Sequence, residues 1–150
     1  MITWEFLLDF GSFRDLQRHR KGVCRIPKLT VKYGFESWYL DQLSPEIKEE
    51  AENLLREIES DIVELGDGLE VQYYIPMGYK IPCKNTYGLM ATVYITELRS
   101  GKTVHPTMRK IAQGMYERLM EKFPNLKLYT DLSEDEFSYK RGGQDIIEKK

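Results

Sequence analysis

Three adjacent residues, Arg18-His19-Arg20, carry the side chains in this sequence best suited to holding an anion. A guanidinium keeps its charge when partly buried and meets a phosphate or a pyrimidine carbonyl edge with two parallel donors. A histidine between two arginines adds a ring nitrogen and a flat face for stacking. The bland alternative is a helix-end cap that pairs with acids on the 44–65 segment. Other chemistries find less. His19 and His105 are the two histidines and Cys24 and Cys83 the two cysteines; none has metal-ligand spacing, so no metal is expected. There is no glycine-rich phosphate loop, nucleophile elbow or kinase loop. Lys84 beside Cys83 could lower the thiol's pKa, but a lone thiol of this kind reads first as structural.

Charge is segregated along the chain. From Arg14 to Lys32 there are seven Lys/Arg against one acid, Asp15, and from Glu36 to Glu70 there are twelve acids against Lys48 and Arg56. A local positive field attracts phosphates. The acidic stretch would repel a long phosphate backbone, so nucleic acid is not the expected partner although a small nucleic-acid-binding module is an alternative. Length and composition set the frame: 150 residues, 41% hydrophobic and 31% charged, net charge -2. That fits one compact domain over 1–150 with enough aromatic bulk for a core. No run approaches a membrane span, the start lacks a basic leader, and two cysteines make no disulfide framework; a reducing, cytoplasmic setting is expected.

The elements that must position the triplet read as follows. Residues 3–20 look helical from Phe6, Leu7, Phe10, Phe13 and Leu16, with Thr3 as N-cap and Gly22 as stop. Residues 28–33 alternate and suggest a strand. Ser44-Pro45 opens the clearest helix, with Ile47, Leu54, Leu55, Ile58, Ile62 and Leu65 in one stripe and Gly66 ending it. Residues 71–75 read as extended, cut by Pro76 and Pro82. The 86–99 segment is ambiguous between strand and helix. His105-Pro106 opens a last helix that Pro124 stops, 126–130 suggests a final strand, and 138–150 reads as a frayed tail.

The run Phe13-Arg14-Asp15-Leu16-Gln17-Arg18-His19-Arg20 resembles the signature of the flavin-dependent thymidylate synthases. Tyr74-Ile75-Pro76-Met77-Gly78-Tyr79 resembles that family's aliphatic-proline segment, and Thr96-Glu97-Leu98-Arg99 its Leu-Arg segment. The resemblance covers roughly 10–123 and implies a helix over 86–99. It assigns Arg18, Arg20 and Arg99 to the substrate nucleotide and Arg18 and His19 to FAD, with no catalytic protein nucleophile. The implied reaction is methylation of deoxyuridylate (dUMP) by methylenetetrahydrofolate, FAD and NADPH, in a homotetramer with sites between subunits. Several family positions differ: Asp15, Lys28, Arg25-Ile26, Thr30, Gln72, Gly88, Met90 and Tyr94 stand where the family carries other residues. A flavin needs rigid positioning by several donors. These departures therefore imply an incomplete site that retains at most nucleotide or phosphate binding.

The expectation is thus an α+β domain of amphipathic helices on a small, mostly antiparallel sheet, related to that family, either a fragment or a C-terminal copy within a longer protein. Its expected ligand is deoxyuridylate or a similar phosphorylated nucleotide. The alternative is a non-catalytic structural or interaction domain that supports a partner copy. Arg18 and Arg99 are expected to converge despite the 81 positions between them.

Overall fold

A computed structural model describes residues 1–134. The chain begins with a strand, β1 (Ile2–Asp9), and not with a helix. Ile2, Trp4, Phe6 and Leu8 face the core while Thr3, Glu5 and Leu7 face out, so the governing period is two. The helical spacing of Phe6, Leu7 and Phe10 misleads because it straddles a boundary at Asp9. There the Asp9 carboxylate accepts the Ser12 N–H at 2.9 Å and caps the short α1 (Phe10–Leu16). The chain then turns through the triplet into β2 (Gly22–Arg25). Gly22 opens a strand where a helix stop was expected, and the predicted strand over 28–33 does not form.

After α2 (Ser37–Asp41) comes α3 (Pro45–Leu65), with Ser44 as N-cap, Pro45 at the first position and Gly66 at positive φ beyond the end, as the sequence indicates. The strand or extended segment expected over 71–75 does not form; Leu69–Tyr73 is a 3-10 helix and residues 74 and 75 follow as a turn. The central strand β3 (Lys80–Tyr87) is the element the sequence hides, because Pro82 lies inside it. Pro82 stands opposite Leu7 of β1, but β2 reaches only Lys84, so the missing N–H falls on a stretch with β1 as its one neighbour. The sheet order is β1-β3-β2 and both pairings are antiparallel. Then follow α4 (Leu89–Arg99) and α5 (Pro106–Lys122). The predicted strand over 126–130 is irregular backbone, and the predicted tail at 138–150 lies outside the described residues.

The α+β class holds. Helices cover one face of the sheet, where Leu8, Phe13, Ile81, Tyr87, Ile95 and Met108 are buried together. A smaller cluster of Ile62, Val71, Ile75 and Tyr79 sits under α3. No helix among the described residues is long and apolar enough to cross a membrane.

Candidate functional site

The triplet lies just past α1, in the turn that feeds β2, so its side chains are not spread around a helix. The acid that meets it is Asp15, and among the described residues no ion pair joins the triplet to α3. Arg18 approaches the Asp15 carboxylate at 3.5 Å from the solvent side. Arg99, at the end of α4, approaches it at 3.6 Å from the protein side and donates to the Asp15 carbonyl at 2.9 Å. Arg18 and Arg99 therefore meet on one carboxylate. Arg99 Nε also donates to His19 Nε2 at 3.0 Å. That nitrogen must carry a lone pair, which makes His19 neutral with its proton on Nδ1. Burial first, and then the Arg99 charge, push the His19 pKa below its ordinary 6.5, against the pull of Asp15. All three nitrogens of Arg99 are thus engaged within the protein. A phosphate would reach its fork only by displacing Asp15.

Arg20 and Lys21 are exposed and make no ion pair among the described residues. With Arg18 and His19 they form one wall of a groove of about 430 Å³, whose other wall is Met90 and Tyr94 of α4. The His19 ring meets the Tyr94 ring edge-on, with centroids 5.9 Å apart.

The wall formed by α4 is inverted. Its buried side presents Thr92, Ile95 and Thr96, and among the described residues neither threonine hydroxyl has a hydrogen-bond partner. Its outer side presents Met90, Tyr94 and Leu98 on successive turns, exposed by 84%, 58% and 45%. A surface helix normally does the reverse. The resemblance set Gly88, Met90 and Tyr94 aside as departures from a flavin site; two of the three are the apolar stripe itself.

Two features escaped the sequence reading. Asp9 is fully buried and receives the Tyr39 hydroxyl at 3.1 Å besides the Ser12 amide. The Ser12 hydroxyl lies 2.7 Å from that of Thr107 and 3.3 Å from His105 Nδ1. Burial pushes the His105 pKa below 6.5 despite nearby acids. Ser12 is buried and so closed to a substrate; the network latches α1 and α2 to the start of α5. The spacing of Asp9 and Ser12 is an N-cap signal that could have revealed the start of α1. Arg109 is likewise buried, donating to the Ser100 carbonyl at 2.7 Å and pairing with Asp131 at 3.2 Å. Cys83 is structural: burial first, then its neighbours Cys24 and Asp9, push its thiol up to about 12, and Lys84 points to the other face of the sheet to meet Glu5 at 2.6 Å.

No family model matches the chain. It is similar to a UPF0159 protein of Thermoplasma acidophilum, 35% identical over 128 residues, which are 83% of this chain and 26% of that protein. UPF0159 proteins of Chlamydia pneumoniae and Chlamydia muridarum are 30% identical over 132 and 137 residues, covering 84% and 85% of this chain and 24% of each relative. The chain spans about a quarter of the length of these curated relatives. None of them is named a thymidylate synthase, so the resemblance read from the triplet is corrected, and with it the reading of flavin-dependent deoxyuridylate methylation.

Proposed function

We propose that this chain is a non-catalytic docking module, whose seat for a partner polypeptide is the groove between the triplet and α4. One observation carries the reading: α4 turns hydroxyls inward and Met90, Tyr94 and Leu98 outward. An apolar stripe with a cationic border is the composition of an interface core and its rim. Asp15, Arg99 and His19 hold the triplet turn against α4 and so fix the shape of the seat. Another concavity lies on the open face of the sheet, where Glu5 and Lys84 satisfy each other.

The test is photo-crosslinking of the protein in the cells that make it. A benzophenone side chain in place of Met90 is expected to join a second polypeptide, while the same probe in place of Glu117, exposed on α5, is not. Absence of any polypeptide adduct at position 90 contradicts the reading.

A second reading rests on Tyr94 lining the same groove as Arg20 and Lys21, cations without an ion pair among the described residues, which would suit a small phosphorylated nucleotide. Side chains alone would supply the attraction, which sets a modest affinity of about 10–1000 μM. Calorimetric titration of a nucleoside monophosphate at low and at high salt checks it. Binding that salt and Arg20→Ala both weaken supports this reading; equal binding by parent and Arg20→Ala, or none at low salt, removes it.

A further inference from the structure

Resting on the docking reading, we infer that the occupant of the α4 groove is α3 of a second copy of this chain. The complement to the groove is found on the molecule itself. At 100° per residue, Ile47, Leu54 and Leu65 of α3 fall within about 20° of one another. All three are more than half exposed. The part of the helix that packs inward is the adjoining strip of Leu55, Ile58 and Ile62. The apolar face of α3 is therefore wider than the core it covers, and its outer half is uncovered.

The border of that outer half is acidic. Glu50, Glu57, Asp61 and Glu64 lie on the side turned away from the buried strip, while Lys48 and Arg56 project elsewhere around the helix. At its C-terminal end the stripe runs into a groove of about 610 Å³ lined by Leu65, Tyr74, Asp61 and Glu64. An apolar stripe with an acidic rim on α3 thus matches an apolar stripe with a cationic rim on α4. Met90 to Leu98 spans about 12 Å along its axis, close to the Ile47-to-Leu54 part of the α3 stripe, about 10 Å of its roughly 27 Å. In such a pairing Tyr94 enters between Ile47 and Leu54, and Arg20 and Lys21 face the acids. Charge complementarity of this kind sets orientation and excludes the pairing of like helices, since two α3 faces would place acid against acid.

The test is sedimentation equilibrium of the full 17.7 kDa chain over a range of concentrations. The parent is expected to associate. Tyr94→Glu and Leu54→Glu, both at exposed positions, are each expected to weaken association about 30-fold or more. An equimolar mixture of the two variants should associate again, because one retains an intact α3 and the other an intact α4. Circular dichroism of each variant verifies that it is folded. A parent that stays monomeric overturns the inference, as does association that Tyr94→Glu abolishes but Leu54→Glu leaves unchanged, or a mixture that does not recover. Those outcomes leave the docking reading standing if position 90 still crosslinks to a different polypeptide; the loss of every adduct removes both.

Discussion

Asp15 is shared by two arginines, one exposed and one buried, and the buried one leans on a histidine that must stay neutral to accept its hydrogen bond. Protonating His19 would set a cation against Arg99 and remove that acceptor. Its folded pKa lies below the 6.5 of the unfolded chain, so near and below that pH the unfolded state binds more protons. His105, pushed the same way by burial, adds to the effect. The stability these histidines contribute is complete above about pH 6.5 and is lost as pH falls from there toward their folded values. Thermal melts should therefore show a Tm that is flat above pH 7 and declines below 6.5. His19→Gln, which keeps an acceptor for Arg99 but cannot titrate, should flatten part of that decline. An unchanged slope in His19→Gln would contradict the assignment of the neutral form. At this scale the sequence named the triplet and Arg99 but not the carboxylate that joins them. Asp15 read as a departure from a family pattern, and pairing between residues 84 positions apart is a property of the fold, invisible to local spacing.

At the scale of elements, legibility followed local chemistry. The caps and stripe of α3 and the His105-Pro106 start of α5 were legible because each signal lies within a few residues of what it governs. β1 was missed because a two-residue and a 3.6-residue period overlap in its Phe6-Leu7 stretch, and β3 because Pro82 is tolerated only where β2 has already ended. The resemblance implies a helix over 86–99, against the β-branched residues there; the structure has that helix over Leu89–Arg99, while Thr86 and Tyr87 end β3, and the function the same resemblance implies is overturned. Gly22 has a reason that no local pattern contains. A Cβ there would overlap the Tyr87 ring and lie 2.6 Å from the Thr86 carbonyl oxygen, both on the neighbouring strand. Gly22→Ala should cost about 1–3 kcal/mol by denaturant unfolding, since the sheet would have to part to admit a methyl group. The inward hydroxyls of α4 predict the opposite sign. Thr96 is fully buried and its hydroxyl has no partner among the described residues, so Thr96→Val should stabilise the chain by about 1 kcal/mol, or raise Tm by roughly 3 °C. A loss of stability in Thr96→Val would mean that the hydroxyl has a partner after all.

Across the whole molecule, the separation of charge along the sequence becomes a separation of surfaces. The basic stretch from Arg14 to Lys32 supplies the rim of the α4 groove, and the acidic stretch from Glu36 to Glu70 supplies the rim of α3. Each rim borders apolar side chains that a free-standing small protein would be expected to bury. The charge pattern was plain in the sequence; that both charge blocks flank uncovered stripes became visible once the buried sides of α3 and α4 were known. The central claim is that the outer face of α4 is covered when the protein works. Hydroxyl-radical footprinting tests it most directly, performed in intact cells that make the protein and repeated on the purified chain at nanomolar concentration. Met77 is exposed and remote from α4 in sequence, which makes it an internal reference. Met90 and Tyr94 should be protected in cells and labelled in the dilute chain, with Met77 labelled in both; equal labelling of Met90 in the two settings would mean that the outer face of α4 stays open.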